Sequence, residues 1–334
     1  MAKTSRGPSM HDVAARAGVS HQTVSRVLND FPGIRPETRA RVIDAIEELG
    51  YRRNLAARAL VTGRTQTIGM IGPVVPDIGP LSTLHAIERA AREADLHTLM
   101  TSAEDTAESL GDALDFLVGR GVDAIAFAAE REVMVEALEA AGVGVPVVYL
   151  LSGGEVAGLS ASIDQRAGVR QAMGHLMGLG HTRIQHVSGP AEVTEARIRR
   201  EEYLAVVGEA GLEPFDIVEG DWSPDSGFAA GQAIAADATA VFCANDEMAY
   251  GVLHALAEQG RRVPEDVSIV GFDDHSAACH TLPPLTTVRQ DFEAVGRLAV
   301  DVMVAAVDGE APEEPRYVSP ELIVRESAAP LESR

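Results

Sequence analysis

The sequence predicts a small all-α helix-turn-helix head joined to a two-lobed α/β body of parallel sheets. Three observations predict it. Residues 12–29 read as two short helices around a Gly-centred turn. The chain changes from basic to acidic near residue 64. From Thr67 onward, apolar strands alternate with amphipathic helices.

In the head, Val13 and Ala17 stand one helical turn apart, Gly18 supplies a left-handed turn residue, and Ser20 caps a second helix whose Val24, Val27 and Leu28 face inward. His21, Gln22, Ser25 and Arg26 then fall on the open face. A helix that presents Gln and Arg near its start suits the major groove, where Arg pairs bidentately with guanine and Gln with adenine. Ser20, Thr23 and Ser25 suit phosphate oxygens, which fix register without reading sequence. Taken alone, the segment also reads as a plain helical hairpin with a polar surface. A third helix is predicted from Pro36 to Leu49, with Pro in its first turn, Glu37 near its start, and Gly50 at its end. After Tyr51, Asn54–Leu60 has good helix formers over only about two turns, so it needs a partner to be ordered. Leu60 at its end either wedges between base pairs in the minor groove or packs on protein.

Charge separates the head from the rest. The 334 residues sum to −22, yet residues 1–64 hold 11 Lys and Arg against 6 Asp and Glu, leaving 17 against 44 in the remainder. A basic head on an acidic body is expected when one module alone touches phosphate. Length suggests roughly two domains of about 150 residues each. No apolar run approaches a membrane span and the N-terminus lacks a signal-peptide core, so no membrane partner and a cytoplasmic location are expected. The two cysteines, Cys243 in an apolar run and Cys279 near a loop, fit a reducing compartment.

In the body, strands are predicted at Ile68–Ile71, Thr98–Thr101, Ala124–Ala128 and Val145–Leu150. A second set follows at Ile184–Val187, Ile217–Glu219, Ala240–Cys243 and Ser268–Gly271. Helices are predicted between them, at Leu84–Ala94, Ser109–Gly119, Val133–Ala141, Gln171–Gly178, Ile198–Ala210, Phe228–Ala236 and Met248–Gln259. Two sets imply two lobes and a cleft, and ligands in open α/β sheets bind beyond the carboxyl ends of strands. The single tryptophan, Trp222, follows a strand there and suits the apolar face of a sugar ring. Asn245 and Asp246 follow one strand, Asp273 and Asp274 follow another, and Arg197 and Arg199 open a helix after Ser188-Gly189-Pro190. A few polar groups against one aromatic surface suit a polyol. Asn245, Asp246 and Asp274 equally suit plain capping roles.

Four segments carry a resemblance that covers essentially the whole chain: Val19-Ser20-His21-Gln22-Thr23-Val24-Ser25-Arg26-Val27, Glu219-Gly220-Asp221-Trp222-Ser223, Ala244-Asn245-Asp246-Glu247-Met248-Ala249, and Pro283-Pro284-Leu285-Thr286-Thr287-Val288-Arg289-Gln290-Asp291-Phe292. In these the chain resembles the LacI/GalR family of transcriptional regulators. The resemblance implies a head at 1–53, a hinge helix and linker at 54–65, and a periplasmic-binding-protein-like body at 66–330. The first lobe would span about 66–162 and 292–320, and the second about 163–291 and 321–330, with crossings at Ser162–Gln165 and Arg289–Asp291. It implies base reading by His21, Gln22 and Arg26, further DNA contacts from Ser9, Asn29 and Ala57, and intercalation by Leu60. It places Arg199, Trp222, Asn245, Asp273, Gln290 and Phe292 at effector-contacting positions, with no metal and no cofactor.

The implied function is a repressor of carbohydrate uptake or catabolism genes, binding a pseudo-palindromic operator as a homodimer and released by a sugar, with a β-galactoside among the candidates. Departures bear on the ligand and the operator. Leu151 stands where a sugar-contacting aspartate is expected, Glu195 replaces a small hydroxyl residue, and His21 replaces a tyrosine. The leucine-repeat extension of tetrameric members is missing, so a dimer is expected.

Two other classes are weighed. An enzyme on an α/β scaffold would call for a Gly-x-Gly-x-x-Gly, Walker, Gly-x-Ser-x-Gly or His-Glu-x-x-His motif, none of which occurs. His175, His181 and His186 lack ligand spacing. A transport-type sugar-binding protein would share the body but not the basic head.

Overall fold

The computed structural model describes residues 7–28, 30–52, 59, 63–74, 78–151, 153, 156, 158–310, 312 and 316–331. Contacts divide it between Thr65 and Gln66 into two units.

The first unit holds α1 (Met10–Ala17), α2 (His21–Leu28) and α3 (Pro36–Leu49). Their boundaries follow from local chemistry. Ser9 caps α1 reciprocally: its hydroxyl accepts from the Asp12 N–H, and its own N–H donates to the Asp12 carboxylate at 2.7 Å. Gly18 ends α1 in the left-handed region at φ 66°, and the Ser20 hydroxyl accepts the Thr23 N–H at 3.1 Å to open α2. Val13, Ala14, Ala17, Val24, Val27, Val42, Ala45 and Tyr51 form the buried core of this unit. Asn29, together with Ala57 and Leu60 of the expected hinge helix, lies outside the described residues.

The second unit contains twelve described strands: β1 (Thr67–Pro73), β2 (His97–Ala103), β3 (Ala124–Ala128), β4 (Val147–Leu150), β5 (Leu159–Ile163), β6 (Ile184–Ser188), β7 (Val218–Glu219), β8 (Ala240–Cys243), β9 (Ser268–Asp273), β10 (Thr286–Arg289), β11 (Arg316–Val318) and β12 (Glu321–Ile323). They form two six-stranded sheets, ordered β11-β5-β4-β3-β1-β2 and β12-β10-β9-β8-β6-β7. Neighbours run parallel throughout except β10 and β12. Eight helices accompany them: α4 (Ile78–Glu93), α5 (Ala107–Val118), α6 (Glu132–Ala141), α7 (Gln165–Gly178), α8 (Thr194–Glu209), α9 (Pro224–Gln232), α10 (Asp246–Glu258) and α11 (Phe292–Asp308). Helices on both faces bury the central strands completely, which is why Ala124–Ala128 and Ala240–Cys243 are uninterrupted apolar runs.

Several predicted boundaries need correction. α4, α7, α8 and α9 begin four to six residues earlier than expected, at Ile78, Gln165, Thr194 and Pro224. Their first turns carry Gly79-Pro80, Gln165-Arg166, Thr194-Glu195 and Pro224-Asp225, too polar or too poor in helix formers to extend an apolar stripe. Packing overrides propensity there. Strands β5, β10, β11 and β12 were not anticipated, because Leu159-Ser160-Ala161-Ser162-Ile163 and Thr286-Thr287-Val288-Arg289 mix small and hydroxylated residues, and β11 and β12 are three residues each.

The chain passes between the sheets at three places, after β5, after β10 and between β11 and β12. Asp164 at the first passage caps α7, accepting the Ala167 N–H at 2.9 Å, and its own N–H donates to the Val318 carbonyl at 3.0 Å. Asp291 at the second caps α11 through the Ala294 N–H at 2.9 Å. α11 returns onto the first sheet and packs along α4, where Arg89 pairs with Glu293 at 2.6 Å. The contact closes at Gly296, where a Cβ would press on the backbone of Ala86.

This close approach yields a prediction with a built-in control. Gly296→Ala is expected to destabilise the full chain by about 1–3 kcal/mol through overpacking. Gly174→Ala, on the exposed face of α7 with open space around it, is expected to stabilise by about 0.5–1 kcal/mol through helix propensity. Equilibrium urea denaturation of the two variants checks the opposite signs.

Candidate ligand cleft and nucleic-acid interface

Carboxyl ends of strands from both sheets converge on one half-open cleft. The first lobe contributes Ile78, Gly79 and Pro80 at the start of α4 and Glu130 beyond β3. The second contributes Glu195, Arg199, Trp222, Asn245, Glu247 and Asp273, and Gln290 enters from the second passage. Of the lining residues, Glu130, Trp222, Asn245 and Gln290 follow strands and Asp273 ends one, where open α/β sheets place their crevices.

Arg199 organises the floor. Its side chain is nearly inaccessible at 2% exposure, and protein groups replace its water. Nε donates to the side-chain Oε1 of Gln165 at 2.9 Å, one terminal nitrogen to the backbone carbonyl of Ala244 at 2.6 Å, and the other to the Glu195 carboxylate at 3.3 Å. The guanidinium also lies 4.0 Å from the Phe272 ring centroid and 5.6 Å from that of Trp222. Gln165 donates to Glu195 at 2.7 Å and to Gln290 at 2.9 Å, and Gln290 donates to Asp273 at 2.6 Å. Each glutamine thus acts as donor and acceptor in one circuit running from Glu195 to Asp273, with Gln165 and Gln290 standing on two of the three passages.

Trp222 is half-buried rather than exposed. Its indole covers Gly189, where any Cβ would collide with the ring, and its backbone at φ 73° is in the left-handed region. Its carbonyl accepts the Asn245 amide at 3.0 Å, while the Asn245 oxygen caps α10 through the Met248 N–H at 2.9 Å. Asn245 therefore serves as a cap and lines the cleft. Asp246 does not line it: the residue is fully buried, accepting the Thr287 hydroxyl at 2.6 Å and the His275 N–H at 2.8 Å. Asp274 turns instead to Arg289 and Arg325.

Other expected residues fall outside the lining. Arg197 pairs with Glu201 at 3.0 Å. Phe292, at the start of α11, is half-buried and lines a separate open groove with His85, Arg89 and Arg289. Leu151 is 7% exposed and packs in the core of the first lobe with Leu150 and Ala161, so it adds no apolar surface to the cleft. Glu130, Glu247 and Gln165 were missed as site residues. Glu130 follows β3 and was reachable by the strand-end rule, whereas Gln165 is linked to the site only through the passage that carries it.

The electrostatics of the cleft are acidic, with four carboxylates, Glu130, Glu195, Glu247 and Asp273, against one guanidinium. Burial pushes the Glu195 carboxyl up to about 7, against the pull of Arg199. It also pushes Asp273 up to about 6, with Arg199 and the Gln290 hydrogen bond opposing. Asp246 is raised well above the ordinary carboxylate range by burial and by neighbouring Asp273. Among the described residues no group of three His, Cys, Asp or Glu side chains is placed to hold a metal ion, and no helix is long and apolar enough to cross a membrane.

On the head, His21, Gln22 and Arg26 are exposed along α2, and Thr23 and Ser25 are half-buried beside them. The Ser20 and Thr23 hydroxyls bond each other at 2.9 Å. His21 stacks on His11 of α1 with centroids 4.6 Å apart, a neighbour that no sequence feature announced. Ser9 is engaged as the α1 cap.

Comparison with known proteins follows the same division. A family model described as bacterial regulatory proteins, lacI family, matches residues 9–54, and one described as a periplasmic binding protein-like domain matches residues 173–328. The chain is 36% identical to the HTH-type transcriptional regulator CelR of Thermobifida fusca, over 96% of this chain and 98% of that protein. It is 32% identical to the lactose operon repressor of Escherichia coli strain K12, over 91% and 86%. Among solved structures, the lac repressor dimer bound to operator and the anti-inducer ONPF superposes with a TM-score of 0.85 at 30% identity, covering 97% of this chain and 100% of that one. The CelR–cellobiose complex matches with a TM-score of 0.70 at 32% identity, covering 96% and 100%.

The raised carboxyls predict a pH dependence. A carboxyl held above its unfolded pKa contributes stability that is complete below the unfolded value, near 4, and lost as pH rises through the folded value. Glu195 and Asp273 are therefore expected to contribute a decline in stability between about pH 4.5 and 7, set against a gain up to about pH 6.5 from His175, His181 and His186, whose imidazoles burial holds below their ordinary value. Glu195→Gln removes one such carboxyl and should make the decline shallower by up to about 1.4 kcal/mol per pH unit. Urea denaturation across pH checks it; an unchanged slope would mean that Glu195 does not bind its proton more tightly on folding.

Proposed function

The chain belongs to the LacI family of bacterial regulatory proteins, and on that premise we propose that it is a cytoplasmic, homodimeric repressor of carbohydrate uptake or catabolism genes, released from a pseudo-palindromic operator by a neutral sugar. One observation carries the effector class: a half-buried indole, Trp222, stands beside the fixed polar groups of Arg199, Asn245 and Asp273 in a single cleft. An aromatic face suits the C–H face of a pyranose, and the acceptors and donors around it suit ring hydroxyls. The excess of carboxylates disfavours uronates and sugar phosphates. One relative is named for the lactose operon and another is solved as a complex with cellobiose, which supports a β-linked disaccharide as the first class to test.

In this reading, His21, Gln22 and Arg26 read bases, Ser9, Ser20, Thr23, Ser25 and Asn29 contact the backbone, and Ala57 and Leu60 engage the minor groove at the operator centre. The ligand shifts the balance between a DNA-competent and a released arrangement. Moving the competent fraction from about 99% to about 1% needs a preference of about 10⁴-fold for the released arrangement.

Four expectations test this. Arg26→Ala should reduce discrimination between operator and shuffled DNA by the about 1–3 kcal/mol of a bidentate guanine contact, with non-specific binding retained in mobility shifts at matched salt. Titration with cellobiose, lactose, maltose, their monosaccharides and glucose 6-phosphate should give saturable changes in Trp222 emission for one neutral class, and the same class should release operator. Asp273→Asn should weaken that response by about 1.5–3 kcal/mol. Trp222→Ala should bind operator but not respond. Full inducibility of Trp222→Ala would sink the sugar-site assignment and leave the DNA-binding assignment standing.

A further inference from the structure

The recognition helix α2 ends in a closure that sets an aromatic ring on its exposed arginine. The Phe31 N–H returns to the Arg26 carbonyl at 2.9 Å, and the Asp30 N–H to the Val27 carbonyl at 3.2 Å, with Asp30 left-handed at φ 49°. That pairing is the Schellman pattern, in which the residue after the left-handed position packs on the residue whose carbonyl it caps. Here the packed pair is Phe31 and Arg26, with the guanidinium carbon 5.3 Å from the ring centroid, inside cation–π reach. Asp30 tolerates its unusual backbone while its carboxylate is taken by Arg39 of α3 at 2.6 Å, so the turn is tied to α3. Phe31 is 51% exposed. A ring so placed contributes little to the core and much to the orientation of its neighbour.

We propose that Phe31 is a positioning residue for sequence readout: its ring holds the Arg26 guanidinium as a preformed planar fork, so that less side-chain freedom is lost when the arginine meets a base edge. The inference rests on the reading of Arg26 as a base contact. A ring face offers the guanidinium attraction without occupying its N–H groups, which a carboxylate would do. Phe31 therefore orients Arg26 and leaves its donors available.

The test uses the full chain with two probes, the duplex that the wild-type protein enriches from a randomised pool and a shuffled duplex of the same composition. Phe31→Ala and Phe31→Leu should each lower the ratio of the two affinities about 3- to 5-fold, leaving the shuffled-duplex affinity and its salt slope unchanged. Phe31→Tyr, which keeps the ring face, should restore the ratio. In an Arg26→Ala background, Phe31→Ala should have no further effect. The proposal is overturned if Phe31→Ala leaves the ratio intact while Arg26→Ala lowers it, a result that spares the base-reading role. It is also overturned if the Phe31→Ala loss persists without Arg26, or if the shuffled affinity falls with it, since the ring would then touch DNA itself. An unchanged ratio in Arg26→Ala alone would remove both the premise and the proposal. Circular dichroism and melting of Phe31→Leu, which keeps apolar bulk, guard against misreading a folding defect.

Discussion

The guanidinium of Arg199 has been taken out of water, and the second lobe is arranged to make that tolerable. Burying an ion costs several kcal/mol unless its donors are met. Two carbonyls, one carboxylate and an aromatic face meet them here. Removing one acceptor would strand a buried charge, so the acceptors constrain each other. Glu195 is costly where it lies, as its raised carboxyl shows, yet it supplies the counter-charge that Arg199 requires.

The same circuit reaches the passages between lobes. Gln165 and Gln290 have no freedom to reorient independently, because each amide is engaged as both donor and acceptor. On the proposed function, a ligand hydroxyl that takes over Asp273 or Arg199 would alter the hydrogen bonds of Gln165 and Gln290, which stand on the passages between the lobes. Small changes at such a point act on large bodies because packed cores shift between discrete arrangements rather than deform smoothly.

How far the sequence could be read depended on how local the determining physics was. The head was legible almost to the residue at α3, since Pro36, Gly50 and the apolar spacing act within a few positions of one another. Strands such as Ala124–Ala128 were legible because burial on both faces makes them continuously apolar. β5 and β10 were not, since their serines and threonines are buried by partners far along the chain. In the cleft, Arg199, Trp222, Asn245, Asp273 and Gln290 were reachable through their motifs and their positions around strand ends. Gln165 was not, because its role arises where two distant passages meet. Leu151, which by resemblance stands where a sugar-contacting aspartate is expected, has a left-handed backbone, φ 57°, and a side chain set in the core.

The three passages also govern the order in which the chain becomes competent during synthesis. The head is complete by residue 65 and its contacts are local. Neither sheet of the body is complete until residues 316–323 have emerged. The last segment is then laced down: Ser327 bonds Ile269 and Thr286, the Ala329 carbonyl accepts from His181 Nε2, and the Leu331 N–H donates to the Leu179 carbonyl. Domains of a nascent chain fold as units in the order they leave the ribosome. A growing chain thus owns a folded head well before it owns a finished body, and a message truncated near its end would yield that head without either sheet of the body complete.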